Sequence, residues 1–253
     1  MKTGIIGFGN LGKALASGLI KSGSTGRGEL YICETNPETR ATATAEPYYA
    51  HASEDVNFVI ESSDVIFLTV KSYVFEELSS FIDRRALAGK TIVSFMAGVS
   101  FETIYSLIGE VALVRAMPSI AIASCDGVVG YTKASPDVAE ILGKLGYAFE
   151  AKPEDIEKVM AFSSCGLGFA AYLIDAFASA GQAMGFSHET AARIAAQTFR
   201  NAADRGDFRN TVKAVATPGG ATEQGVKHME ESRVRNIISD AVGKAYKRMA
   251  GGA

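Results

Sequence analysis

The sequence predicts an α/β fold in its first part, built on a doubly wound, mostly parallel sheet, followed by a second part that is all helix. Three observations carry that prediction. The chain opens on a short apolar strand that passes through Gly7-x-Gly9-x-x-Gly12 into an amphipathic helix. Short β-rich runs then alternate with helical segments up to Lys152-Pro153, the pattern of a sheet wound on both sides. Beyond that dipeptide the pattern turns to alanine-rich helix with no convincing strand.

Taken in order, strands are expected at Thr3–Gly7, Leu30–Cys33, Val65–Val70, Thr91–Phe95, Val111–Arg115 and Val128–Tyr131. Several are near-continuous apolar runs, as suits strands covered on both faces. Helices are expected near Asn10–Ser22, Pro37–Ala45, Tyr73–Ile82, Phe101–Ile108 and Pro136–Leu145. In the second part, Gly166–Met184 is apolar nearly all round and is expected to be buried on every side. Ser187-His188-Glu189-Thr190 is a helix start, followed by Ile194 and Thr198 at helical spacing. A Thr217-Pro218-Gly219-Gly220 turn precedes a last helix over Arg233–Met249. The expected domains are therefore 1–152 and 153–253. An all-round apolar helix needs more cover than its neighbours supply. A partner subunit is therefore expected to provide it; the alternative is that the first domain covers it alone.

Composition narrows the function classes. With 47% apolar and 21% charged residues, the chain has the make-up of a soluble globular protein. A net charge of −3, a pI near 5.7 and no basic tract give no electrostatic case for nucleic acid. Cys33, Cys125 and Cys165 form no CxxC pair, which argues against a disulfide framework or zinc site and fits a reducing compartment. Lys2 leads straight into the glycine loop without a leader pattern, and no stretch is expected to reach the length of a membrane span. A cytoplasmic protein is expected. His51, in a polar irregular stretch, His188 and His228 have no metal spacing, and no metal is expected.

The glycine loop carries the first chemistry. Gly7 permits a tight turn, Gly9 lets the backbone approach a pyrophosphate, and Gly12 lets helix and strand pack closely, the pattern of a Rossmann-type domain. A phosphate at the helix start meets free N–H groups and the positive end of the dipole. The alternative is a glycine-rich turn with no ligand. Glu34 ends the second strand, 22 positions after Gly12. A carboxylate there accepts hydrogen bonds from an adenosine 2′-OH and repels a 2′-phosphate, and Thr35 beside it brings no cation, so the pair leans towards NADH. Arg40 nearby argues the other way, and a solvated carboxylate is the alternative. Cys165, at a helix start, is either an activated or an inert buried thiol. Tyr172 and Phe169 are expected in the core.

With these elements placed, the chain resembles the pyrroline-5-carboxylate reductases over its whole length. The stretches that carry the resemblance are GFGNLG (Gly7–Gly12), LTVKS (Leu68–Ser72), SFMAGVS (Ser94–Ser100), VRAMPS (Val114–Ser119), AAQT (Ala195–Thr198) and ATPGGATEQGV (Ala216–Val226). The pairing of RxMP with PGGAT is the specific part. The resemblance implies a Rossmann domain followed by an all-α dimerisation domain, intertwined dimers that assemble further, and NAD(P)H-dependent reduction of 1-pyrroline-5-carboxylate to proline. It places Gly7, Gly9, Asn10, Leu11 and Gly12 on the pyrophosphate. Val70, Lys71, Ala97 and Gly98 would border ribose and nicotinamide, and Met117 and Pro118 the nicotinamide side. Thr217, Gly219, Gly220, Ala221 and Thr222 would receive the substrate carboxylate, with the Thr222 hydroxyl on the ring nitrogen as the catalytic contact. Read without the resemblance, Pro218-Gly219-Gly220 is an ordinary interhelical turn.

The chain departs from the family pattern at three places. An SGSGPA-like segment reads Ser163-Ser164-Cys165-Gly166-Leu167-Gly168, the asparagine after MP is Ser119, and the proline after VK is Ser72. Some of these changes resemble the late-competence branch of the superfamily, so a cofactor-binding regulatory homologue stands as an alternative. A β-hydroxyacid dehydrogenase is the other. It needs a lysine after the Gly166-x-Gly168 pattern, where this chain has Tyr172.

Overall fold

The computed structural model describes residues 1–250; residues 251–253, which the sequence assigns to the second domain, lie outside the described residues. Eight strands are present: β1 (Thr3–Ile6), β2 (Leu30–Cys33), β3 (His51–Ser53), β4 (Val65–Leu68), β5 (Thr91–Ser94), β6 (Ala112–Pro118), β7 (Gly127–Tyr131) and β8 (Gly146–Glu150). They form one sheet in the order β3-β2-β1-β4-β5-β6-β7-β8. All pairings are parallel except β6 with β7. Chain order reverses between β1 and β4, whose register sets Ile5 beside Phe67.

The helices of the first part are α1 (Asn10–Lys21), α2 (Pro37–Thr44), α3 (Val56–Ser62), α4 (Ser72–Ser79), α5 (Phe101–Ile108) and α6 (Pro136–Gly143). They cover both faces of the sheet. Successive strand residues point to opposite sides, so Ile5 and Phe67 join one buried cluster with Leu15, while Ile6, Ile66 and Leu68 join the other with Ile60 and Phe75. That double cover is why the strands read as unbroken apolar runs.

Then come α7 (Ile156–Phe162), α8 (Ser164–Ala183), α9 (His188–Asp204), α10 (Phe208–Val215), α11 (Ala221–Glu231) and α12 (Val234–Ala250), with no further strand among the described residues. The chain divides into two compact units, Met1–Ser164 with the residues from Tyr246 onward, and Cys165–Ala245. The first unit runs past Lys152-Pro153 because α7 packs on the sheet. Ile156 and Ala161 are buried there, and a Cβ on Gly130 would stand 2.6 Å from Val159.

Three elements went unpredicted. The strand β3 has three residues and no apolar run, and His51 belongs to it, stacked 5.0 Å from Tyr31, rather than to an irregular stretch. The half-exposed edge strand β8 (GYAFE) has no bounded run of β-branched residues, whereas α3 carried a legible signal. Its N-cap Asp55 accepts from Asn57 N–H, and Val56, Val59 and Ile60 are buried at helical spacing.

The second unit bears on two expectations. Of α8, expected to be buried on every side, only Ala178 is buried within one chain. Tyr172, expected in the core, is 74% exposed. The expected absence of a span-length stretch is also corrected. The helical run Pro153–Ala183 is long and apolar enough to cross a membrane, by length and composition alone. Its charges gather at the start, at Glu154, Asp155, Glu157 and Lys158, and Asp175 is the one beyond them.

Candidate functional site

The glycine loop leaves β1 and enters α1 at the point where the strand order reverses. Gly7 adopts φ +96°, a conformation that side chains rarely tolerate. A Cβ on Gly12 would collide with the Gly7 carbonyl, whereas one on Gly9 would meet nothing within 4 Å. The loop is therefore tight on its inner side and open at Gly9, where a ligand can approach. Thr69 holds the turn from behind, its hydroxyl donating to the Gly7 carbonyl at 2.6 Å. Gly9 is the N-cap of α1 and no side chain caps it, so the first N–H groups of the helix face outward without a protein partner from a cap.

These N–H groups open on a cleft of about 720 Å³ at the C-terminal ends of β1, β2, β4 and β5. Of the residues expected at the cofactor, Gly7, Gly9, Asn10, Leu11, Glu34, Val70, Lys71 and Ala97 line it. Gly12, Gly98, Met117 and Pro118 do not. Gly12 acts from beneath the loop, and Met117 is buried, 2% exposed. Thr69, Ser72, Met96 and Met160 line the cleft as well. Sequence reasoning missed Met160 because a methionine on an apolar helix reads as core.

Glu34 sits at the β2 end of the cleft. Its carboxylate accepts from Phe8 N–H and Asn36 N–H, both at 2.9 Å, so it also braces the glycine loop. Arg40 Nη1 donates to the Glu34 and Thr35 carbonyls at 2.8 and 3.1 Å and lies 3.4 Å from Glu54. Cys33, on the same rim, is inert to thiolate chemistry. Burial, reinforced by the Glu34 and Asp55 charges, pushes its thiol up to about 12.

In the second unit, the turn before α11 brings Thr217 to Thr222 together. Gly219 has φ +77° and Gly220 N–H donates to the Thr217 carbonyl at 2.8 Å. Gly220 is the N-cap of α11 with no side-chain cap. The Gly219 N–H already holds a carboxylate, donating to Glu223 Oε2 at 2.8 Å. Thr222 is exposed on the first turn of the helix. Among the described residues no cluster of three His, Cys, Asp or Glu could hold a metal.

An uncapped, glycine-led helix at the switch point of a parallel sheet, with an acidic residue ending the second strand, defines a dinucleotide-binding class of α/β protein. The open flank at Gly9, the free helix N–H groups and the Glu34 acceptor fit a nicotinamide dinucleotide, and Gly12 leaves no room for a side chain that would push the helix away. Comparison with known proteins is specific. Residues 153–251 match the family model for pyrroline-5-carboxylate reductase dimerisation, and residues 2–98 that for NADP oxidoreductase coenzyme F420-dependent. The chain is 31% identical to the pyrroline-5-carboxylate reductase of Aquifex aeolicus, across 98% of this chain and 96% of that one. It is 26% identical to pyrroline-5-carboxylate reductase 2 of Bacillus subtilis, across 98% and 94%. The fold is shared with the Plasmodium falciparum pyrroline carboxylate reductase crystallised with NADP bound (TM-score 0.89, 21% identity, 99% of this chain and 97% of that one). The chain belongs to the pyrroline-5-carboxylate reductase family.

Proposed function

We propose that this protein reduces 1-pyrroline-5-carboxylate to proline with reduced NAD(P). One observation carries the reading, the near full-length likeness to the Aquifex aeolicus enzyme. The cofactor supplies a hydride for the imine carbon. A protonated C=N accepts hydride readily, so the protein's task is apposition and charge placement rather than elaborate acid–base chemistry.

In this reading Gly7, Gly9, Asn10, Leu11 and Gly12 shape the pyrophosphate seat, and Val70, Lys71, Ala97, Gly98, Met117 and Pro118 support the ribose and nicotinamide side. Thr217, Gly219, Gly220 and Ala221 form the carboxylate seat from backbone N–H groups, a nest-type anion site. The Thr222 hydroxyl meets the ring nitrogen. NADH is preferred over NADPH. Glu34 lines the cleft and would repel a 2′-phosphate, while Arg40 is already engaged with two carbonyls and Glu54. Residues 1–152 form the cofactor domain and 153–253 the domain of substrate binding and association.

The protein works as a homo-oligomer of intertwined dimers in the cytoplasm, with no nucleic acid or membrane partner. The exposed apolar side chains of the second unit support association, and the dimerisation match covers the same residues. The exposed apolar side chains of α8 are then subunit interface rather than membrane span. A regulatory, non-turning homologue is the second reading, favoured by the altered Ser163–Gly168 segment. A steady-state assay with pyrroline-5-carboxylate and each reduced cofactor separates the two. Stoichiometric oxidation with proline formed is expected. Cofactor binding without proline from either cofactor favours the regulator.

A further inference from the structure

We propose that Met160 is the wall against which the nicotinamide end of the cofactor packs, held in place by two pins from β6. The inference rests on the dinucleotide reading of the cleft and adds a contact residue to it.

The cleft has a direction. It begins at Glu34 and Thr35 after β2, passes the N-terminus of α1, and ends at Phe95, Met96 and Ala97 after β5. A dinucleotide that sets its pyrophosphate on α1 and its adenosine at Glu34 brings its nicotinamide to the β5 end. Met160 is, among the described residues, the sole lining residue from any element after β5. It joins none of the three buried clusters and stays partly exposed, unlike a side chain that only fills the core.

Its position is fixed from both sides. Glu157, Met160 and Ser164 follow at intervals of three and four, so they share one helical face. The helical backbone carries through Ser163, with φ −94° and ψ −63°. One turn before Met160, Glu157 pairs with Arg115 of β6 at 2.5 Å, with side chains 16% and 5% exposed. The Arg115 Nε is buried without a hydrogen-bond partner, and among the described residues the guanidinium is held by its Nη2 bond to Glu157. One turn after Met160, the Ser164 hydroxyl donates to the Pro118 carbonyl of β6 at 2.8 Å. β6 therefore grips this helical face on either side of Met160. A thioether suits the place, because it is apolar, polarisable and packs well on a planar ring.

Calorimetric titration of the full chain with NADH, NADPH and ADP-ribose tests the proposal. ADP-ribose keeps the adenosine and pyrophosphate but lacks the nicotinamide ring. Met160→Ala is expected to weaken both reduced cofactors by about threefold to tenfold, the worth of a truncated apolar contact. ADP-ribose binding should not change, and Met160→Leu should restore most of the loss. Ser164→Ala, which removes one pin, should give a smaller loss with the same selectivity. Equal losses for all three ligands, or none, would overturn the proposal, since a merely structural role cannot single out the nicotinamide half. A wild-type protein that binds neither ADP-ribose nor the reduced cofactors would remove the dinucleotide reading beneath it. A Ser164→Ala protein that binds like wild type would overturn the pin.

Discussion

The two units bury very different amounts of themselves. In the first, the sheet lies between two apolar layers, and Ile5, Phe8, Phe67 and Val93 are wholly excluded from solvent. In the second, the buried cluster consists of Ala178, Ala191 and Ala195, while Tyr172, Met184, Phe208 and Ile237 stand more than half exposed. Three alanines cannot offset the entropy of ordering some eighty residues at about 1–2 kcal/mol each for the backbone alone. The contrast teaches that one unit is specified by its own core, whereas the other buries too little within one chain to be specified in that way.

The largest effect that would sharpen this contrast is in the sheet. Phe67→Ala should cost about 3–5 kcal/mol in denaturant unfolding, with no dependence on protein concentration. A loss under 1 kcal/mol or so would mean that the first core tolerates voids and the contrast is overstated. Next is the helical turn. Thr222→Ala should lower kcat/KM by roughly tenfold, equivalent to 1.4 kcal/mol, with cofactor affinity unchanged, and Thr217→Ala should lower it less. Wild-type activity in Thr222→Ala would return the turn to a plain connector.

A smaller effect is expected at Glu34. Glu34→Ser should shift the NADH-to-NADPH affinity ratio several-fold towards NADPH as the like charge is removed. It should also weaken NADH itself, because the Phe8 N–H loses its acceptor. A wild type that already favours NADPH several-fold would show that the carboxylate does not face the ribose. The smallest effect on the isolated chain is Tyr172→Ser, within about 0.5 kcal/mol for a surface position. The same substitution should lower the average mass in sedimentation velocity at micromolar concentration. An unchanged mass would take Tyr172 out of the interface, and a wild type that is monomeric there would break the comparison.

What could be read from the sequence follows the same division. Leu30–Cys33 matched β2 in full because a strand covered on both faces announces itself as a bounded apolar run. The glycine loop was legible because Gly7 and Gly12 answer steric demands that no other residue meets. The strand β3 was not, since three residues paired on one side need no apolar face. Burial of α8 was expected to need a partner subunit, and one chain alone buries only its Ala178, because periodicity reports that a face must be covered and not what covers it. Met160 and the Glu34 bridge to Phe8 depend on contacts between distant segments, and single-sequence spacing carries no signal for those.

The Glu223 carboxylate on the Gly219 N–H has a consequence for how tightly a substrate can be held. Under the reading proposed for this turn, the incoming carboxylate does not meet a bare amide but exchanges with a tethered one. A group on so short a tether competes at an effective concentration on the order of millimolar or more. Measured affinity is then the difference between two similar ions, one free and one attached. Such a seat releases its anion as readily as it takes one, and product need not linger in it.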